Sequence, residues 1–245
     1  MRIIVVIPTY NESENIGQLI LHILKLHPNF DILVVDDNSP DGTGKVVEEL
    51  AKQSDRIRIL PRPRKYGLGS AYRVGFNYVL SRTSYYDRII QMDADFSHQP
   101  RYLDILLEVT KRKDISIGSR YIEGGTIVNW SLTRRVFSYC ANFYVRFWLG
   151  IGVKDCTSGF RCFRRDVLAN VQFDAIKSNG YLFQIEMLIS CLKLGYSFAE
   201  VPIVFVDRAK GKSKLGLREV LKAIFQVSKL RFSKYAGDNK RIEKG

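Results

Sequence analysis

The stretch Arg88-Ile-Ile-Gln-Met-Asp-Ala-Asp95 decides the fold. Five residues with strand character run straight into two carboxylates separated by one alanine. Once such a strand breaks into a turn, acids at i and i+2 can both face one ligand. A hard divalent cation wants oxygen ligands of this kind and keeps open positions for phosphate oxygens. An ordinary turn with helix-capping acids has the same local sequence, so the triplet takes its meaning from its neighbours.

Those neighbours repeat the arrangement. Arg2-Ile-Ile-Val-Val-Ile7 is a short apolar run closed by Pro8-Thr-Tyr-Asn-Glu12. Ile32-Leu-Val-Val35 is a second, ended by Asp36-Asp37-Asn38-Ser39-Pro40-Asp41-Gly42. Ile57 to Leu60 and Ile115 to Ile117 complete the strands. Helical patterns fall between them, over 14–26, 43–53, 70–81 and 101–112. Short strands alternating with helices imply βαβ units: an α/β fold with a mostly parallel sheet and helices on both faces. Ligands bind such sheets at the carboxyl ends of the strands, where the three polar clusters lie.

The second half is less regular. Val136 to Leu149 is aromatic-rich and helical in pattern, Phe183 to Leu194 is a helix, and Ala199 to Val206 is a strand. Residues 209–216 are rich in Lys and Gly and read as a mobile loop. Leu217 to Phe232 is a basic amphipathic helix. The expected division is a catalytic domain over 1–216 and a basic helix with its tail over 217–245.

The 245 residues are 46% hydrophobic, enough for a substantial core in one domain with a short appendage. Net charge is +13, and positions 207–245 carry 12 Lys/Arg against 4 Asp/Glu. That balance favours an anionic partner or surface. A nucleic-acid-binding function is not expected, because no binding motif is present and acidic strand ends repel phosphate backbones. A nucleotidyltransferase calls for a Gly-rich signature after the first strand, which Pro8 to Glu12 lack. Cys140, Cys156, Cys162 and Cys191 make no C-x-x-C pair and read as free thiols of a reducing compartment. No signal peptide is legible. No run of about 18 apolar residues exists; Val136 to Val153 comes nearest, interrupted by Asn142 and Arg146.

Around the triplet, one acid of Asp36-Asp37 can accept hydrogen bonds from a base or a ribose; a turn-capping role suits Asp36 better than Asp37. His98 is expected to be structural, since no second His or Cys stands near it. Gly67-Leu-Gly69 lacks the P-loop ending and lets backbone pass close to a ligand or another strand. Arg120, Arg134, Arg135, Arg208, Lys210, Lys212 and Lys214 supply counter-charge, Arg134-Arg135 most pointedly, because Arg grips phosphate bidentately.

The ordered set Ile-Pro-Thr-Tyr-Asn-Glu12, Val-Val-Asp-Asp-Asn-Ser-Pro-Asp-Gly-Thr43, Gly-Leu-Gly-Ser-Ala71, Met-Asp-Ala-Asp-Phe-Ser-His-Gln-Pro100, Gly-Ser-Arg-Tyr121 and Val-Asp-Arg208…Lys-Ser-Lys-Leu215 resembles the dolichol-phosphate (polyprenol-phosphate) mannose synthases. These are inverting glycosyltransferases of the Rossmann-like GT-A fold. The likeness implies transfer of mannose from GDP-mannose to a polyprenyl (dolichyl) monophosphate, with Mg2+ or Mn2+; a UDP-glucose-dependent polyprenyl-phosphate glucosyltransferase is the alternative. By the same likeness Pro8, Tyr10, Glu12, Val35 and Asp37 bind the nucleoside, and Asp93, Ala94 and Asp95 hold metal and diphosphate. Arg120, Arg208 and Lys214 meet donor phosphates or the developing charge, and Arg134 and Ser138 face the acceptor phosphate. Asp95, Arg120 and Arg134 are the residues expected to carry catalysis. Where some relatives have Gln, this chain has Ser97, a poorer metal ligand. Glu186 lies where related transferases carry a catalytic acid and is assigned a positioning role.

The implied acceptor lives in a bilayer. The expectation is a cytoplasmic protein, peripheral on the cytosolic face of a membrane. Either the helices over 136–149 and 217–232 touch the interface, or a separate membrane subunit recruits the enzyme. Packing against the sheet is the competing role for 136–149.

Overall fold

The computed structural model describes residues 1–82, 85–207 and 227–228. Seven strands form one sheet in the order β3-β2-β1-β4-β7-β5-β8. They are β1 (Ile3–Thr9), β2 (Phe30–Asp36), β3 (Ile57–Pro61), β4 (Arg88–Gln91), β5 (Ile115–Ser119), β7 (Arg161–Arg164) and β8 (Phe198–Pro202). All pair in parallel except β7, which runs antiparallel to both β4 and β5. A small second sheet pairs β6 (Thr126–Val128) with β9 (Val204–Val206).

The apolar runs are continuous because both sheet faces are covered. Ile3, Val5 and Ile7 enter one buried cluster with Ile32 and Val34. That cluster packs under α1 (Ile16–Leu26), α2 (Thr43–Gln53) and α4 (Leu103–Val109). Ile4 and Val6 enter the other with Leu33 and Val35, under α3 (Leu68–Ser81) and α7 (Tyr181–Lys193). Strand order reverses between β1 and β4. That switch point opens a crevice at the carboxyl edge.

Three local expectations change. The helix over 136–149 begins earlier, as α5 (Leu132–Leu149), because Ser131 caps it by accepting the Arg134 backbone N–H. The single strand over 199–206 is two, β8 and β9, which join different sheets on either side of Ile203. The helix over 101–112 is a 3-10 turn followed by the shorter α4. A short α6 (Arg165–Asn170) follows β7. Most of the basic helix over 217–232, the loop over 209–216 and the domain boundary at 216 lie outside the described residues. Val227 and Ser228 are helical. Val227 is buried in the core, and the Ser228 hydroxyl meets that of Tyr144 on α5.

Candidate active site

Three strand ends shape the crevice, and each contains a residue in the left-handed region. They are Asn11 after β1 (φ 60°), Asn38 after β2 (φ 57°) and Phe96 after β4 (φ 59°). Asn tolerates this conformation because its side chain bonds locally, whereas Phe pays a steric penalty of about 1–2 kcal/mol. The penalty at Phe96 is held inside the turn that carries the acids. Ser97 donates its N–H and its hydroxyl to Asp95 Oδ1, at 3.1 and 2.5 Å, folding that carboxylate back over the turn.

Asp93 is fixed from two sides. Its N–H donates to His98 Nδ1 at 3.0 Å. Buried His98 stacks on Phe160 with ring centroids 4.9 Å apart. With Nδ1 accepting, that nitrogen has no lone pair to give a metal. From below, the Tyr72 hydroxyl lies 3.2 Å from Asp93 Oδ1 and 3.1 Å from the Met92 carbonyl. Burial, reinforced by the Asp93 charge, raises the Tyr72 pKa, so the phenol stays a proton donor.

The first two loops are tied together. Thr9 and Ser39 both donate to buried Asp36, the Asn11 N–H to Ser39, and the Glu12 N–H to Thr43. Asp36 is therefore the turn cap. Asp37 has different work: it accepts from Arg62 at 2.5 Å and from the Tyr66 and Gly67 N–H groups at 3.0 and 2.7 Å. Gly67, at φ 93°, can present its N–H there. At Gly69 a Cβ would stand 2.7 Å from the Ser178 carbonyl, so this glycine admits protein backbone rather than a ligand.

Two adjoining cavities result. The larger, about 380 Å3, is lined on one side by Pro8, Tyr10, Glu12, Asp37 and Lys65, and on the other by Asp93, Ala94 and Asp95. The smaller, about 70 Å3, shares Asp93 and Asp95 and adds Arg120, Trp130, Arg134 and Asp207. The crevice thus gathers Pro8, Tyr10, Glu12, Asp37, Asp93, Ala94, Asp95, Arg120 and Arg134. Val35 lines neither cavity; its side chain is fully buried in the core. Ser138 lines neither as well and accepts from the Tyr121 hydroxyl at 2.6 Å. Arg208 and Lys214 lie outside the described residues. Arg135 turns away to donate to the Ile127 carbonyl.

Sequence reasoning missed one wall. Thr157 and Gly159 line both cavities, as does Tyr181 at the start of α7. They belong with Asp155-Cys-Thr-Ser-Gly159, a polar cluster like the other three. Because β7 is antiparallel, the loop at the carboxyl edge of the sheet comes before this strand, not after it. Asp155, fully buried, takes the Arg120 fork in two bonds of 2.7 Å.

Among the described residues, no cluster of three or more His, Cys, Asp or Glu side chains is placed to hold a metal. Asp93 and Asp95 are an oxygen pair on a half-open wall, which fits a hard cation that completes its shell with phosphate oxygens. The space is kept open at Gly159, where a Cβ would sit 3.5 Å from Asp93 Oδ1.

A mostly parallel sheet bearing such an acid pair, between a nucleoside-sized cleft and an arginine-lined one, defines a GT-A glycosyltransferase. The chain belongs to glycosyl transferase family 2, which it matches over residues 4–172. It is 44% identical over 229 residues to the polyprenol monophosphomannose synthase of Mycolicibacterium smegmatis, covering 93% of this chain and 86% of that one. It is 42% identical over 229 residues to the undecaprenyl-phosphate mannosyltransferase of Micrococcus luteus, covering 94% and 93%. The fold also matches glucosyl-3-phosphoglycerate synthase from Mycobacterium tuberculosis, solved with Mn2+ and UDP, at TM-score 0.65 and 21% identity, over 94% of this chain and 78% of that one.

Proposed function

We propose that this chain transfers mannose from GDP-mannose to a polyprenyl monophosphate, with inversion, at the cytosolic surface of a membrane. The observation that carries the proposal is the shared wall: Asp93 and Asp95 line both cavities. A donor whose base lies toward Tyr10 and Asp37 would end its diphosphate at these acids. An acceptor anion drawn to Arg120 and Arg134 would meet it there. Both relatives named above transfer mannose to a polyprenyl phosphate by name, which supports the sugar and the acceptor.

The acceptor phosphate carries about −1.5 to −2 charge at neutral pH. It is already a nucleophile, so no strong general base is required. Its oxygen attacks the anomeric carbon as the bond to the diphosphate oxygen breaks, and GDP leaves. Arg134 and Arg120 would hold the acceptor in line. Arg208 and Lys214 would add charge on the donor side. Mg2+ or Mn2+ at Asp93 and Asp95 would neutralise charge on the departing diphosphate. Arg120 stays charged in this role. Burial alone lowers its pKa, but the Asp155 charge and hydrogen bonds outweigh burial and raise it.

No helix among the described residues is long and apolar enough to cross a membrane. One face of α5 instead presents Leu132, Val136, Phe137, Tyr139, Phe143 and Phe147 to solvent, 53–76% exposed. Only Asn142 and Val145 of this helix are buried. That stripe favours direct contact with the bilayer over packing against the sheet.

Purified protein with radiolabelled GDP-mannose, Mn2+ and a polyprenyl phosphate should yield lipid-linked mannose. Product from UDP-glucose and none from GDP-mannose would overturn the donor assignment.

A further inference from the structure

We propose that Asp207 is an exchangeable counter-carboxylate for Arg134. A phosphate anion must displace it to reach Arg134, so Asp207 weakens the hold of the smaller cavity on acceptor and product alike and helps the product leave. The inference rests on the acceptor assignment above and concerns how the acceptor enters and the product leaves.

The two arginines lining this cavity are held very differently. Arg120 is 7% exposed, and Asp155 takes its Nε, its Nη2 and its backbone N–H. That pair is a buried, fixed part of the cavity wall. Arg134 makes one hydrogen bond to Asp207, Nη1 to Oδ2 at 2.7 Å, and its guanidinium lies 3.9 Å from the centre of the Trp130 ring. The Arg134 and Asp207 side chains are 26% and 23% exposed. Both line the cavity, next to Asp93 and Asp95. Trp130 supports the guanidinium from one face, so Arg134 keeps a partner when Asp207 leaves.

An anion entering this cavity must take Arg134 from Asp207. The contest turns on charge. An acceptor monoester brings about −1.5 to −2 against one carboxylate charge. The product is a diester with a single negative charge and two esterified oxygens. It has no charge advantage over a carboxylate that is already tethered to the cavity wall. Asp207 therefore yields to substrate and reclaims Arg134 from product, which favours release at each turnover. If Asp207 only held Arg134 in a productive orientation, its loss would weaken the acceptor instead. The two roles predict opposite signs.

The test uses the full chain with a short-chain polyprenyl phosphate in detergent. In Asp207→Asn, the acceptor KM should fall and the mannosyl phosphodiester product should inhibit more strongly, each by about two- to fivefold, the range expected for a partly exposed ion pair. An unchanged or raised acceptor KM overturns the proposal. A second measurement reads binding alone: an alkyl phosphate should compete with acceptor about two- to fivefold better in Asp207→Asn than in the wild type. Equal inhibition overturns the proposal. Lipid-linked product in the wild type without a shift in Asp207→Asn removes the exchange and leaves the acceptor assignment standing. No lipid-linked product in the wild type removes both.

Discussion

Arg120 and Asp155 form a two-pronged ion pair, Nε to Oδ2 and Nη2 to Oδ1, both at 2.7 Å, inside the wall of the candidate active site. Burial opposes charge on both partners. Even so, Arg120 holds the Asp155 carboxyl below the usual carboxylate range. Asp155→Asn would leave a buried guanidinium without its counter-charge, a loss of about 3–5 kcal/mol. Urea denaturation should show that loss directly, and an unchanged midpoint would refute the pairing. The sign of the pH effect follows. A carboxyl with a depressed folded pKa contributes stability above its unfolded value, about 3.9. That contribution fades as pH falls through the folded value. The gap between wild type and Asp155→Asn should therefore narrow below about pH 4.

Tyr72 is a buried support for Asp93 rather than a group that touches substrate. Tyr72→Phe removes the hydroxyl that lies 3.2 Å from Asp93 Oδ1 and changes little else in shape. Losing an orienting partner of a metal-binding carboxylate typically costs about 10–100-fold in affinity or activity. Mn2+ binding followed by electron paramagnetic resonance, with GDP present, should weaken by at least about tenfold. Unaltered Mn2+ binding would mean that the hydroxyl serves only the Met92 carbonyl.

The half of the fold built from parallel strands was legible because its central strands, β1 and β2, are buried apolar runs that end in turn chemistry. Strand β7 was not. Its four residues, Arg161-Cys-Phe-Arg164, include two charges. Arg161 is fully buried; its two terminal nitrogens donate to the carbonyls of Gln184 and Cys156 and its Nε finds no hydrogen-bond partner among the described residues, a placement invisible to a hydrophobic pattern. The same strand hid half of the site. Asp93, Asp95 and Asp37 follow parallel strands, where ligand edges are sought. Asp155, Thr157 and Gly159 precede an antiparallel one. Val35, at the end of β2, has its side chain in the core, so a nucleoside could meet only its backbone.

Asp95 and Glu186 separate two mechanisms. Asp95 lines both cavities, whereas Glu186 lines neither and accepts the Ser178 N–H at 3.1 Å from α7. Asp95→Ala should abolish transfer with either Mg2+ or Mn2+. Glu186→Gln retains an oxygen for Ser178 and should leave measurable turnover. Comparable losses in the two variants would argue for general-base chemistry at Glu186.

The exposed stripe of α5 carries its own probe. Cys140 is exposed between Tyr139 and Phe143, whereas Cys156, Cys162 and Cys191 are buried. Burial pushes each of these three thiols up to about 12, so at neutral pH they are protonated as well as inaccessible. A thiol reagent should therefore label the native chain at Cys140. If α5 lies on the bilayer, an environment-sensitive fluorophore there should shift to the blue with liposomes, and the attached dye should be shielded from an aqueous quencher. Phe143→Ser with Phe147→Ser should weaken both effects, because burying each aromatic ring contributes about 1.5–3 kcal/mol to transfer out of water. The same double variant should raise the apparent KM for a long-chain acceptor in liposomes and leave that for a short-chain acceptor in detergent unchanged. A blue shift that survives the double variant would place membrane contact elsewhere on the chain.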